Sequence, residues 1–376
     1  METKARVIAL YLPQYHPIQE NDMWWGKGFT EWTNVAKAKP LFKGHVQPRI
    51  PTELGFYDLR LPSVREQQAK LAREAGIEGF CYYLYWFGNG KKLLEKPFEE
   101  VVSLKEPDFP FCLCWANHSW RNSTWTSVKG NAVKQMLAEQ LYPGEEDNLM
   151  HFNYLLDAFR DSRYIKVDGK LLFIIWNPFG FQKPNEFINQ WQQLAKENGL
   201  PGFHFVAIVT TSTFKTFSPN GSDATKRIKQ VLDMGFDAVS TDSRYRAQIL
   251  SKNKMTQGFI SFMNKKIGKS IPNVFNHSTI NKNMYIKEDG MENVYPTILP
   301  NWDRTPRTAT DAIYVNSTPE VFRECVENVC DIISHKEDEH KIIILKSWNE
   351  WGEGNYMEPD MQYGRGYIDA LKSVLK

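Results

Sequence analysis

The sequence predicts a (β/α)₈ TIM barrel with long loops inserted after its strands. Three observations carry this reading. Short apolar or aromatic runs recur with helical patterns between them, these runs number about eight, and 376 residues accommodate a barrel of about 250 residues plus insertions. A doubly wound parallel sheet is the second choice. The first strand is expected over 7–15, followed by a long connection, 19–61, and a helix over 63–75. That helix turns Glu66, Gln67 and Lys70 outward and stops at Gly76, where a left-handed residue ends a helix at little cost. Strand 79–86 and helix 98–104 form the second unit. The third pairs strand 111–117 with helix 149–159 across another long connection, 117–148. Strand 171–177 leads to helix 185–198, which stops at Gly199, and strand 204–210 leads to helix 224–234. Strand 238–243 precedes the third long connection, 244–293, after which strand 294–302, helix 319–333, strand 342–348 and helix 368–375 complete the series. All three long connections leave the carboxyl end of a strand, which in a barrel is the catalytic face. Residues 1–376 read as one domain, and the acidic, His-containing run 334–340 reads as a solvated helix end.

Composition narrows the function classes. Lys and Arg total 46 against 44 for Asp and Glu, a net charge of +2, so neither nucleic acid nor an anionic membrane is the expected partner. No run of about 18 apolar residues occurs, so no membrane insertion is expected. The five cysteines are odd in number and lack Cys-x-x-Cys spacing, which fits a reducing compartment. The N-terminal apolar run is too short for a secretory leader, and the expected location is cytoplasmic. Gly-x-Gly-x-x-Gly after a strand, the P-loop pattern, His-Glu-x-x-His and Asp-x-Asp are all missing from the sequence, so no cofactor and no metal is expected.

Aromatic content is the unusual entry, with 12 Trp, 16 Tyr and 23 Phe. Trp and Tyr carry polar handles that need partners, and here they fall beside Asn, His and Glu at the expected strand ends. Flat rings next to amide and carboxylate hydrogen-bonders suit pyranose rings, which offer an apolar face and a fringe of hydroxyls. The sharpest element is Trp348-Asn349-Glu350-Trp351-Gly352-Glu353-Gly354 at the end of the last strand. Glycoside hydrolysis needs two carboxylates, one to take a proton or attack and one to protonate the leaving oxygen. Burial beside Trp348 and Trp351, together with like-charge repulsion, would raise the pKa of one of them. Spacing alone does not say which. Among second-rank candidates, Asn117, His118 and Asn177 could fix sugar hydroxyls. Tyr15, Trp32, Tyr83, Tyr85 and Trp115 could line subsites. Trp302, Asp303 and Arg307 follow the seventh strand, Asn349 accompanies the glutamates, and Glu31 is a third carboxylate in an aromatic setting.

The opening Leu12-Pro13-Gln14-Tyr15-His16-Pro17, the Trp24-Trp25 to Val35 stretch, Gly79-Phe80-Cys81-Tyr82-Tyr83, Trp115-Ala116-Asn117 and the Glu350/Glu353 segment resemble the WbsX family over nearly the whole chain. That family is similar to glycoside hydrolase family 99 and is usually described as glycosyltransferases of bacterial lipopolysaccharide or capsule gene clusters. The resemblance implies a (β/α)₈ barrel and, from the retaining, endo-acting α-mannosidases of family 99, a catalytic Glu-x-x-Glu pair. By that resemblance Glu350 deprotonates the sugar 2-hydroxyl, which displaces the aglycone through an epoxide-like intermediate, while Glu353 acts as general acid and then base. The expected partner is an oligosaccharide or polysaccharide, mannose-like if the resemblance extends to substrate. Three readings stay open: a glycoside hydrolase, a glycosyltransferase of polysaccharide biosynthesis using the same site, and a glycan-binding barrel without catalysis.

Overall fold

The computed structural model describes residues 4–122, 135–180, 183–210, 222–252, 272–308 and 312–376. Eight parallel strands close on themselves: β1 (Arg6–Tyr11), β2 (Gly79–Trp86), β3 (Phe111–Trp115), β4 (Lys170–Ile175), β5 (Phe203–Thr210), β6 (Ala238–Asp242), β7 (Val294–Ile298) and β8 (Ile342–Leu345). Closure shows at β1, where Ala9 lies opposite Leu345 of β8 on one side and Phe80 of β2 on the other. Buried on both faces, these strands read as continuous runs such as Ile342–Leu345 rather than as alternating ones. The barrel, not the doubly wound sheet, is the fold.

Helices α1 (Gln19–Trp25) and α2 (Glu31–Lys37) lie in the first long connection, and α3 (Pro62–Ala75) returns the chain to β2. Next come α4 (Lys96–Leu104), α5 (Glu145–Phe159), α6 (Pro184–Glu197) and α7 (Ser222–Leu232), each leading to the next strand. The connection after β6 contains α8 (Arg244–Ser251) and α9 (His277–Met284), and α10 (Pro319–Ile333) and α11 (Gly366–Leu375) complete the outer ring. Local chemistry explains several boundaries. Pro62 and Pro184 sit in the first turn, where a missing N–H costs nothing, and the Thr318 hydroxyl accepts from Val321 N–H to cap α10. Gly76 ends α3 at φ 88°, as expected of a left-handed cap.

The strands stop sooner than the apolar pattern suggests: β1 at Tyr11 rather than 15, β7 at Ile298 rather than 302, β8 at Leu345 rather than 348. Beyond these points the chain peels away to build the mouth, and a side chain takes over the ladder. Leu12 N–H donates to Asn349 Oδ1 at 2.8 Å and Asn349 Nδ2 donates to Leu12 O at 3.0 Å, so one amide copies a backbone pair between β1 and β8.

The long connections gather where the barrel predicts. In the first, Pro51 bridges to Asp360 near the C-terminal end of the chain. In the second, Trp120–Arg121 pairs antiparallel with Met136–Ala138. In the third, Val274–Asn276 pairs with Ile313–Val315. Parts of the second and third connections, 123–134 and 253–271, lie outside the described residues. No helix among the described residues is long and apolar enough to cross a membrane.

Candidate active site

A cleft of about 370 Å³ opens at the carboxyl ends of the strands. Every barrel strand except β5 contributes a lining residue, in the strand itself or just after it, among those described. Leu12 and Gln14 follow β1, Tyr83 and Tyr85 belong to β2, His118 and Trp120 follow β3, and Trp176 follows β4. Arg244 follows β6, Trp302, Arg304 and Arg307 follow β7, and Lys346, Glu350 and Glu353 follow β8.

The two glutamates meet on one guanidinium. Arg307 Nη1 donates to Glu350 Oε1 at 2.8 Å and to Glu353 Oε1 at 2.7 Å. The sum of those lengths holds these two oxygens at most about 5.5 Å apart, so the pair can act on one bond. The rest of Arg307 grips Glu31, whose Oε1 and Oε2 accept from Nε at 2.9 Å and Nη2 at 3.1 Å. Arg304 pairs with Glu353 Oε1 at 2.9 Å. Three carboxylates thus converge on Arg307, with Glu31 wholly buried behind the 350–353 turn. The turn presses on Glu31 so closely that a Cβ at Gly352 would stand 1.9 Å from its Oε1.

Electrostatics separate the pair. Burial, reinforced by Glu353, pushes the Glu350 carboxyl above its ordinary value, with Arg307 opposing. Burial acts the same way on Glu353, but the combined field of Arg304, Arg307, Lys346 and Arg244 outweighs it and brings that carboxyl down to about 2. Glu353 is the more acidic of the two, and Glu350 holds its proton more firmly.

Other residues singled out in the sequence divide into lining and scaffold. Tyr83, Tyr85, His118, Trp302 and Arg307 line the cleft with the glutamates. Asn349 is the ladder clamp described above. Tyr15 lies beneath the turn, its hydroxyl donating to Asn349 O at 2.5 Å and accepting from Trp351 N–H at 3.1 Å. Trp32 packs on Tyr15 and Trp351 and donates from Nε1 to Tyr57 O. Trp351 stacks on Tyr356 with centroids 3.7 Å apart, and Trp348 packs against Phe80 with no exposed surface.

Trp115 is also wall rather than lining: it packs on Phe187 and His151 and donates to Trp86 O. Asn117 and Asn177 hold each other, Asn177 N–H donating to Asn117 Oδ1 at 2.7 Å and Asn117 Nδ2 to Asn177 O at 2.9 Å, which ties the ends of β3 and β4. Asp303 is fully buried, accepting from Gln47 Nε2 and Thr305 and contacting His45 Nε2 at 2.8 Å. Its N–H donates to Glu353 O at 2.7 Å, and Gly354, at φ 55°, lies so close to it that a Cβ would be 2.9 Å from Asp303 Cβ. Asp303 therefore positions the loop that carries Arg304 and Arg307. Amide and indole types placed these residues correctly near the strand ends, but the same polar handles serve backbone ladders as well as sugars.

Among the lining residues outside the sequence candidates are the cations Arg121, Arg244, Arg304 and Lys346, together with Gln14, Trp120 and Trp176. Their signal was position: Arg244 stands just past the expected sixth strand and Arg304 just past the seventh.

A parallel barrel whose mouth holds a glutamate pair on a shared arginine, among indole and phenol rings, has the fold of the GH99 endo-α-mannosidases. The chain belongs to the family described as Glycosyltransferase WbsX, whose sequence model matches residues 7–371. It is 33% identical over 374 residues to protein WxcX of Xanthomonas campestris pv. campestris strain B100, a match covering 99% of this chain and 50% of WxcX. WxcX of strain ATCC 33913 is also 33% identical over 374 residues, with the same coverage. The chain thus spans about half the length of the curated relatives it matches. Among solved structures, a glycoside hydrolase-like protein superposes with a TM-score of 0.63 at 16% identity, covering 100% of this chain and 95% of that one. The GH99 endo-α-mannosidase of Bacteroides thetaiotaomicron gives 0.56 at 12% identity, covering 100% and 97%. At such identities the likeness is one of fold.

Proposed function

We propose that this chain is a retaining, endo-acting glycosidase of a mannose-like glycan, with Glu350 and Glu353 as its catalytic residues. The observation that carries this is their convergence on Arg307 at the barrel mouth, with the two nearest oxygens at most about 5.5 Å apart. In the roles the family resemblance implies, Glu350 takes the proton of the sugar 2-hydroxyl. The freed oxygen displaces the aglycone, and Glu353 protonates the leaving oxygen. Glu353 then draws a proton from water as it opens the strained intermediate, and Glu350 returns a proton to the 2-oxygen, so the anomeric configuration is kept. A raised pKa suits Glu350 as a base working near neutrality. Glu353 must gain a proton when the glycan binds, and a sugar that dries the cleft and separates Glu353 from Arg304 raises its pKa by both routes.

The order of the two pKa values favours a second assignment, with Glu350 as acid and Glu353 as carboxylate base. Aryl mannosides with activated leaving groups distinguish the two, because a leaving group that needs no proton spares the loss of the acid. Glu353→Gln is expected to lose about 10²–10⁴-fold in turnover of a natural glycan while still binding it, and to recover much of that loss on the activated substrate. Glu350→Gln recovers nothing. The reverse pattern establishes the second assignment, and two fully active variants overturn the pair.

Transfer to a second sugar hydroxyl instead of water needs no other machinery, and the family's description as a glycosyltransferase favours transfer, in surface-polysaccharide assembly if the family resemblance extends that far, as the alternative outcome of the same chemistry. All five cysteines are buried thiols, which suits a reducing compartment and the cytoplasmic side of such assembly.

A further inference from the structure

Arg244 and Lys346 line the same cleft as the glutamates, yet among the described residues neither hydrogen-bonds to Glu350 or Glu353. Both rest on Asp242. Its Oδ2 accepts from Arg244 Nη2 at 2.7 Å and from Lys346 Nζ at 3.1 Å, while its Oδ1 accepts from Arg244 Nε at 2.8 Å. Two cations share one carboxylate, a local surplus of positive charge in a place where Lys346 has a side-chain exposure of only 5%. Across the cleft the charges are unevenly placed: Arg304 and Arg307 face three carboxylates, Glu31, Glu350 and Glu353, so the glutamate side is the negative end and Arg244 with Lys346 form the positive end. Burying charge without a full complement is costly, and the cost falls when an anion arrives. Burial and Arg244 draw the Lys346 ammonium below its ordinary pKa, against the opposing pull of Asp242, Glu353 and Glu350.

Ring faces make the same point. The Arg244 guanidinium lies 3.7 Å from the centroid of Trp302, and the Lys346 ammonium 4.4 Å from that of Trp176. These indoles line the cleft at the ends of β7 and β4, and a cation lies over the ring of each. At this wall of the cleft the rings carry cations where the aromatic composition suggested bare stacking faces.

We propose that Arg244 and Lys346 form a subsite for an anionic group carried by the bound glycan, a carboxylate or a phosphate ester, so that the substrate class is an acidic glycan. This rests on the glycan-acting reading of the cleft and names its substrate class. Calorimetric titration of the full chain with matched trisaccharides tests it. One arm compares a mannuronate trimer with a mannose trimer of the same linkage, and the other compares that mannose trimer with its 6-phosphate ester. The acidic member of at least one pair is expected to bind about tenfold more tightly or better, an advantage that shrinks as salt rises. The arm that shows it identifies the source of the charge. Arg244→Gln and Lys346→Met are expected to reduce the advantage, and Arg244→Lys to retain part of it. If a variant fails to fold, the acidic-to-neutral ratio of the wild type and its salt dependence decide alone. No advantage in either arm overturns the subsite, as does an advantage unchanged in both folded variants. Acid preference without cleavage leaves the subsite standing and removes the glycosidase reading, whereas cleavage of neutral glycans bound as tightly as acidic ones does the opposite.

Discussion

Arg307 places one guanidinium among three carboxylates, so its removal acts on stability and on proton affinity together. Arg307→Gln leaves Glu31, Glu350 and Glu353 without their common partner in a buried setting, where breaking a charge pair costs about 3–5 kcal/mol. Urea unfolding near neutral pH is expected to show a loss of that order, and a change below about 1 kcal/mol would contradict the arrangement. How far single residues can be read from sequence varies with their chemistry. Glu350 and Glu353 are legible because two carboxylates three apart at a strand end have few other uses. Asn117, Asn177 and Asn349 are less so, since an amide completes a backbone ladder with the same atoms that would hold a hydroxyl. Arg244 and Lys346 were overlooked because a lone cation at a strand end has no local pattern, and their meaning comes only from the Asp242 they share.

At the scale of elements, the turn after β8 is held from beneath by Glu358. Its Oε2 accepts from Trp351 Nε1 at 2.6 Å and from Tyr57 OH at 2.9 Å, and its Oε1 accepts from Gln68 Nε2 at 2.6 Å. Burial raises this carboxyl, the three donors oppose it, and the balance stands at about 7. An acid whose pKa is higher folded than unfolded contributes stability in its protonated form. That contribution is complete below the unfolded value of about 4.3 and is lost as pH rises through about 7, an effect on the order of 3 kcal/mol. Wild type is therefore expected to lose melting temperature relative to Glu358→Gln between about pH 5 and pH 8, and parallel curves would rule this out. The strands themselves were legible from their apolar runs, with β2 matching its expected span of 79–86. Their carboxyl ends were not, because the aromatic runs continue into loops whose geometry depends on partners such as Tyr15 and Tyr57, distant in sequence.

Over the whole molecule, alternation of strand and helix was enough to predict a closed barrel and the face on which its long connections gather. The aromatic total was a poorer guide. Trp191, Trp348 and Trp351 are completely buried, and Trp191 packs among Phe173, Phe187 and Phe203, so much of that total builds core between barrel and helices. A net charge of +2 likewise conceals a cleft lined by Arg121, Arg244, Arg304, Arg307 and Lys346. What the barrel assembles from seven strand ends is a pair of glutamates in a cationic mouth, and on the proposed function this pair breaks or exchanges a glycosidic bond with its configuration kept. Proton NMR of the first-formed anomer, taken as the enzyme acts on oligosaccharides, addresses it directly. A product of retained configuration is expected, its formation disappearing in Glu350→Gln and Glu353→Gln; an inverted first product, or undiminished activity in both variants, rules out the retaining pair.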